Sequence, residues 1–432
     1  MELRSGFAAI IFGSALRNYS SMHQDLIPTI LIRPPKGDTI TSLSTLHSYT
    51  RRAVCDLKNT FPNALQQLSP RSRIYRTLYD AKDFCSRQTL ARDCALSLPT
   101  VHQYLTELFQ IGLVRYSGEE RATGGRRAQG IEIVPDARIA LGISVTGRYL
   151  RLSAVDLRLQ ELAYCRENFD LASHLGKLDG AMAGIIEKFL DDFHLDRRRL
   201  LGVGIAVPGL ISPDGQRITI APTLGIRDAP LYALTRGIEY PVHVENDGTA
   251  SGHAESAFHR RKKSMAYLSL EDGIGGAVLI DSVPYPGERA KSGEFGHICV
   301  EPGGLLCSCG CHGCLEAYCS ASRIEAAFGV SLEEFFQGAR EHRPDYEALL
   351  FDMLRHLAIG INSIHMVLDC DVVLGGFLTE YLQDWLPVLR QYVTAGNPFT
   401  ENADFVRLST LRRHITSHGA ALFFVREFVT GI

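Results

Sequence analysis

The stretch GEFGHICVEPGGLLCSCGCHGCLEAYCS, Gly293 to Ser320, constrains this chain more than any other, because it gathers six of the eleven cysteines. Cys307, Cys309 and Cys314 follow the spacing C-x-C-x4-C, and His297 precedes the first of them by ten residues. Gly310 and Gly313 let the backbone wrap tightly enough for the sulfurs to converge. Three thiolates and one imidazole make a closed tetrahedral zinc site with no position left for water, which excludes zinc hydrolysis. A disulfide between Cys307 and Cys309 is disfavoured, since a one-residue spacer strains the bond geometry. Cys311 is a rival ligand from inside the loop, while Cys299 and Cys319 read as small buried side chains. The expected cofactor is therefore a structural zinc, and the loop 297–314 is expected to be a clip that holds something else in place.

Cysteines crowded at ligand spacing, not scattered in pairs, favour a reducing compartment. A cytoplasmic protein is expected, although the N-terminal MELRSGFAAIIFGSALRNYSS faintly resembles a signal peptide. No apolar run approaches the ~20 residues that span a bilayer, so no membrane partner is expected. At 432 residues the chain has room for two to four domains, and its 45% hydrophobic and 22% charged residues are ordinary for a soluble globular protein. A net charge of -3 argues against polyanion binding by bulk charge. From Pro70 to Gly130, however, ten Lys and Arg stand against six Asp and Glu, a local basic segment that permits contact with nucleic acid.

Residues 1–69 have no clear periodicity and include the loop-like LIRPPKGDTITS. They are assigned no function and are expected to be a poorly packed extension or the product of a start codon placed too early. From Ser72 the pattern changes. RSRIYRTLYDA places Ile74, Leu78 and Ala81 on one helical face. SRQTLARDCAL opens on Ser86, an N-cap type, and repeats apolar residues at Leu90, Cys94 and Ala95. SLPTVHQYLTELFQIGLV begins with Ser97, carries Pro99 where a first turn tolerates it, and turns Val101, Leu105, Leu108 and Phe109 inward. With two short strands to follow, residues 70–134 read as a winged helix-turn-helix. The wing carries Arg121, Arg126 and Arg127 beside flexible glycines, which favours DNA over a protein-binding bundle. In that geometry the second helix of the motif enters the major groove with Pro99, Thr100, His102, Gln103 and Thr106 outward. Gln103 can pair bidentately with adenine, and Thr100 can reach phosphate or a thymine methyl. Arg126 and Arg127 are expected on phosphates or in an adjacent minor groove.

After Pro135 the texture becomes α/β. IALGISVTGRYLRLSAVDLRLQELAYCREN reads as three successive strands, LDGAMAGIIEKFLDDF as a helix and LLGVGIAVPGLIS as a buried strand. YPVHVENDGTASGHAESAF is a strand running into a helix, and SMAYLSLEDGIGGAVLIDSVP a strand, a glycine turn and a second strand. YEALLFDMLRHLAIGINSIHMVLDCDVVLGGFL is a long helix and a further strand. Strand groups interleaved with helices, repeated twice, predict two α/β lobes with a cleft between them.

These motifs together resemble the ROK family (repressors, open reading frames and sugar kinases), over roughly residues 71–432. EFGH and CSCGCHGCLE are similar to its EXGH and CXCGXXGCXE signatures, and the helix-turn-helix followed by TGGRR resembles the DNA-binding half of its repressors. ENDGTASGHAE resembles its Asn-Asp motif, and VVLGGFL its late glycine turn. The resemblance implies a two-lobed, actin-like ATPase (ribonuclease H-like) sugar-kinase fold over residues 135–432. It also implies that Glu294 and Glu316 reach sugar hydroxyls, with His297 touching the sugar through its second ring nitrogen, an outer contact that a metal-bound imidazole can make. Asn246 and Asp247 resemble the family's sugar-binding pair, in which the aspartate is the kinases' general base. The plainer reading of Asp247 is an N-cap for the helix it precedes. Pro208-Gly209 and APTLGI would form the opposite wall, where Thr223 replaces the asparagine common in the family.

The phosphate loops depart further. Where the kinases carry an Asp-x-Gly-Gly-Thr-type loop, this chain has Ser144 and then Val145-Thr146-Gly147-Arg148. Where they carry Gly-Thr-Gly-Ile-Gly, it has Glu271-Asp272 ahead of the glycines. Serine cannot replace a carboxylate beside magnesium, and two carboxylates repel a polyphosphate. The expectation is thus no enzyme but a sugar-responsive transcriptional regulator, a repressor, binding a DNA operator and a small sugar effector. A homodimer or higher homo-oligomer is expected, because paired recognition helices read paired half-sites. The alternative is an active ROK sugar kinase with a fused DNA-binding domain.

Overall fold

Three short helices each begin on a serine: α1 (Pro70–Asp80), α2 (Arg87–Asp93) and α3 (Leu98–Gln110). In this computed structural model the described residues are 68–432, apart from 82, 121–127, 147–148, 170–179, 222–223, 260–263 and 412–413. Ser69, Ser86 and Ser97 accept the amides of Ser72, Thr89 and Thr100 at 3.1, 3.1 and 3.3 Å, satisfying first-turn donors that have no partner within the helix. Ile74, Leu78, Leu90, Cys94, Val101, Leu105 and Leu108 are buried, as their spacing predicts. Ala95 differs: α2 ends at Asp93, and Ala95 sits exposed in the turn at φ 52. Phe109 is only half-buried, its ring 4.5 Å from that of Tyr116. Strands β1 (Val114–Glu120) and β2 (Ala128–Ile133) pair antiparallel, and Cys85 bridges to Ile131, completing a winged helix-turn-helix.

Two five-stranded sheets follow. The first contains β3 (Ile139–Val145), β4 (Tyr149–Asp156), β5 (Glu161–Asn168), β6 (Leu200–Val207) and β10 (Val242–Asn246), in the order β10-β6-β3-β4-β5. Helix α4 (Ala181–Asp192) precedes β6, and between β6 and β10 run a small sheet of β7 (Leu210–Ile211), β8 (Arg217–Ala221) and β9 (Ile226–Pro230) and the short α5 (Tyr232–Thr235). After α6 (Asp247–His259) come β11 (Met265–Leu270), β12 (Ile274–Ile280) and β13 (Val283–Pro284). The helices α7 (Leu315–Cys319), α8 (Ala321–Phe328), α9 (Leu332–Arg340) and α10 (Pro344–Leu368) then lead to β14 (Asp371–Gly375). The short α11 (Thr379–Leu382), α12 (Leu386–Ala395), β15 (Val406–Leu408) and α13 (Ile415–Gly431) close the chain. The second sheet runs β13-β12-β11-β14-β15. In both, the central strand has two antiparallel neighbours in succession on one side and two parallel ones on the other, so one topology is drawn twice.

Helix α6 packs on β11 and β12, α13 packs on β3 and β6, and the two helices pack on each other between the sheets. The fit is close to backbone contact. A Cβ at Gly142 or Gly204 would stand 1.7 or 1.9 Å from the carbonyl oxygens of Ser417 and Ala420 in α13. At its far end α13 enters the winged-helix head, where Phe428 meets Tyr75 edge-on at 6.0 Å. Ile74, Leu78, Leu105 and Leu108 share one apolar cluster with Leu157, Leu422, Val425 and Val429. Arg158 donates to the carbonyl of Leu78 at 3.3 Å and to that of Tyr79. The head is therefore built into the first lobe by a common core.

Candidate functional site

The knuckle after Glu294 folds on its own backbone. Cys307 N–H donates to the Cys311 carbonyl at 2.8 Å, Gly313 N–H to that of Leu305 at 2.8 Å, and Val300 N–H to that of Gly313 at 2.8 Å. Gly313 has φ +83, and a Cβ there would lie 1.9 Å from the Glu301 oxygen, so this corner admits only glycine. The turn brings one ligand atom each of His297, Cys307, Cys309 and Cys314 within 4.8 Å of one another. Bonds of about 2.3 Å to sulfur and about 2.0 Å to nitrogen at tetrahedral angles require S···S near ~3.8 Å and N···S near ~3.6 Å. Cys309 and Cys314 have Sγ atoms 3.8 Å apart, and His297 Nδ1 lies 3.7 Å from Cys307 Sγ. The donor set fits a tetrahedral cation. Burial pushes the thiols of Cys307 and Cys314 up, so thiolates at these positions would need a cation beside them. Cys311 stands outside this group, and Cys319 is buried with its thiol 3.3 Å from the Met353 carbonyl. Cys299 is exposed, against expectation.

Carboxylates converge beside the knuckle. Glu294 precedes the tight turn Phe295–His297 and lies 3.8 Å from His297 Nε2, the ring nitrogen turned away from the sulfurs. Glu316, at the start of α7, accepts the Ile274 amide at 2.9 Å through one oxygen and the Ser308 hydroxyl at 2.7 Å through the other, tying the knuckle to β12. Asn246 ends β10. Its Oδ1 accepts the Thr249 amide at 3.0 Å and its Nδ2 donates to the Gly209 carbonyl at 3.0 Å. Asn246 is thus the cap of α6, correcting the assignment of that duty to Asp247, which is already the first helical residue. Asp247 accepts the Gly248 amide at 2.8 Å. Burial, together with the charges of Glu271 and Glu294, pushes its carboxyl up to about 7. The approach is possible because Gly248 and Gly276 touch backbone to backbone: a Cβ on Gly248 would lie 2.7 Å from Gly276 N.

The opposite end of the cleft has different chemistry. Ser144 is buried on β3, and its cross-strand partner on β4 is Arg151. Thr146 closes the β3–β4 hairpin itself, donating to the Tyr149 carbonyl at 2.8 Å and accepting its amide at 3.1 Å. Arg151 lies over the Tyr149 ring at 5.1 Å, and its charge reaches Glu271 across the cleft, opposing the burial that pushes that carboxyl up. Gly147, Arg148 and Thr223 lie outside the described residues. Sequence reasoning missed Arg151 and Ser308; only the strand register and the fold of the knuckle reveal them.

On the head, Pro99, His102, Gln103 and Thr106 are exposed along one face of α3. Thr106 turns its hydroxyl back to the His102 carbonyl at 2.9 Å. Thr100 is half-buried and its hydroxyl lies 2.7 Å from that of Ser97, so it serves the helix cap first. Arg121, Arg126 and Arg127 lie outside the described residues. Among the described residues no helix is long and apolar enough to cross a membrane.

A family model, that of the ROK family, matches residues 140–426. The xylose repressor of Bacillus subtilis is 28% identical, over 74% of this chain and 81% of its own length. The DNA-binding transcriptional dual regulator NagC of Escherichia coli is 28% identical, over 83% of this chain and 93% of its own length. Among solved structures, a ROK family transcriptional regulator homologous to the E. coli MLC protein superposes with a TM-score of 0.67 at 22% identity, covering 85% of this chain and 98% of that one. ROK kinases share the two-lobed module.

Proposed function

The chain belongs to the ROK family, and we propose that it is a sugar-responsive transcriptional repressor whose kinase-like module binds a sugar without phosphorylating it. The observation that carries this reading is the union of head and module. The exposed face of α3 is free for DNA while its opposite face lies in a core shared with α13 and the first lobe. The xylose repressor and the dual regulator NagC match 74% and 83% of this chain, more than residues 135–432 alone provide.

Asn246, Asp247, Glu294, His297 and Glu316 would hold the sugar. Carboxylates suit it because each accepts hydrogen bonds from neighbouring hydroxyls. His297, Cys307, Cys309 and Cys314 would hold a zinc ion, which when bound supplies a rigid tetrahedral brace for Glu294, His297 and Glu316. Thr100, His102, Gln103, Arg126 and Arg127 would meet the operator, in a dimer or higher homo-oligomer, and the compartment would be the cytoplasm. The division into residues 1–69, 70–134 and 135–432 belongs to the same reading.

Against phosphoryl transfer stand Ser144 and Arg151. A cation on the strand face where a magnesium-bearing carboxylate is needed repels the metal, and Glu271 repels the polyphosphate. One observation favours the second reading, an active kinase: Asp247, held near neutrality, has the affinity a general base requires.

The test is selection of genomic DNA fragments on the zinc-loaded protein, repeated with hexoses, pentoses and N-acetyl sugars. Specific retention altered by one sugar is expected. No retention at moderate salt under any condition overturns the regulator, and sugar-dependent ATP turnover on the same panel would then establish the kinase.

A further inference from the structure

Away from the cleft, three donors that neither sugar, zinc knuckle nor DNA employs meet at one point. Glu161 opens β5, and His414 and His418 stand four residues apart where α13 begins. His414 Nδ1 lies 2.7 Å and His418 Nε2 2.9 Å from the same oxygen, Glu161 Oε2. One ligand atom from each of the three lies within 4.8 Å of the others. Tetrahedral metal bonds of about 2.0–2.2 Å to nitrogen and oxygen place such atoms about 3.4 Å apart, so the donors would open by about half an ångström to admit a cation.

The surroundings hold the donors in place. The His414 ring stacks on Tyr164 at 3.5 Å and 9°. Ser153 Oγ lies 3.3 Å from Glu161 Oε2 and 2.8 Å from Ser417 Oγ, an outer contact of the kind that orients ligating carboxylates. His414 is also out of place as a helix residue. It occupies the N-cap of α13 without capping it, at φ 55, where Ser, Asp or Asn would serve the helix better. Its side chain is turned to Glu161 instead. Two N–H groups sharing one carboxylate oxygen account for the distances, but not for a non-capping histidine in a left-handed conformation.

We propose that Glu161, His414 and His418 form a second divalent-cation site, separate from the zinc knuckle. Two imidazoles and one carboxylate select borderline transition cations such as zinc, cobalt or nickel over magnesium or calcium. The three side chains keep 30, 21 and 13% of their surface accessible, so the cation retains open positions toward solvent. Its effect is to fasten the edge of the first sheet to the start of α13, where the chain returns from the second lobe to the first. The proposal does not depend on the identity of the sugar or the operator.

The experiment is metal stoichiometry on the full-length protein, stripped by chelator and reloaded with zinc at neutral pH. Two equivalents are expected for the wild type, one for Cys309→Ser and one for the His414→Ala/His418→Ala double variant. Ser153→Ala is expected to weaken the second equivalent about tenfold. Should either cysteine or histidine variant fail to fold, the wild type still decides. With the knuckle filled by zinc, added cobalt must give the weak absorption of nitrogen and oxygen ligation without sulfur charge-transfer bands. A single equivalent in the wild type at excess metal, or a second equivalent that survives the double histidine substitution in a folded protein, overturns the site.

Discussion

The two ends of the interlobe cleft have gone in opposite directions. At the end proposed to hold the sugar, Asn246 accepts the Thr249 amide, Glu316 accepts the Ile274 amide and the Ser308 hydroxyl, and Glu294 lies 3.8 Å from the His297 ring. At the other end stand Ser144, a hairpin closed by Thr146, and Arg151, whose charge reaches Glu271. The difference separates recognition from chemistry. A signalling module needs only a ligand that binds its two states with different affinity, whereas a transferase needs both ends complete at once.

The largest effect expected from this contrast is at the knuckle. Cys309→Ser should lose the metal of that site and, with it, about a hundredfold in sugar affinity, the worth of one or two charge-assisted hydrogen bonds. Isothermal titration with the effector sugar, alongside metal analysis, reads both. Retained sugar affinity in protein without that metal would break the link between brace and pocket. Next come Glu294→Gln and Asp247→Asn, each expected to cost sugar binding about tenfold while metal content and sugar-free DNA binding stay unchanged. If either lowers DNA retention without sugar, the pocket is not the independent input described.

Changes at the other end should be quieter. Glu271→Ala is expected to alter sugar affinity less than about threefold, and ADP release by wild type and variant alike should stay at background. Turnover rising with sugar would erase the distinction between the two ends. A further effect concerns pH. Asp247 is held up to about 7 in the folded protein, above its ordinary carboxylate range, so its contribution favours the fold at low pH and is lost as pH rises toward 7. Asp247→Asn should therefore gain stability relative to wild type between pH 5 and pH 8, measured as the difference in Tm at the two ends. A constant difference would place the carboxyl in a more hydrated setting.

Much of this was legible in the sequence because it follows from spacing. The C-x-C-x4-C run and the serine caps of α2 and α3 each leave a local mark that tertiary packing preserved, whereas β4 is buried on both faces from Leu152 to Asp156 and does not alternate. What escaped has no local mark. Helix α13 is buried on several sides, among them Ala420, Ala421, Leu422 and Val425, so it shows no contrast of polar and apolar faces for periodicity to detect. Glu161 is separated by more than 250 residues from His414 and His418, and only sheet and helix together bring them within reach. Ala95 was misplaced because an apolar residue just past a short helix continues the pattern although the backbone has already turned. Cys299 was misplaced because a cysteine's type says little about which side of a loop it faces.

The backbone contact of α13 with Gly142 and Gly204 has a mechanical consequence. A helix seated on a sheet through side chains can slide as rotamers readjust; one seated on glycines has nothing to readjust. Helix and first sheet must therefore turn together, and the head, whose core includes the far end of α13, turns with them. Seventeen residues make a lever arm of about 25 Å, so a rotation of about 5° at the lobe boundary carries its tip about 2 Å. Two such arms in a symmetric pair would detune the separation of their recognition helices, which must match one turn of duplex, about 34 Å. Gearing of this kind would let a cleft that closes by very little control a grip that fails by small errors.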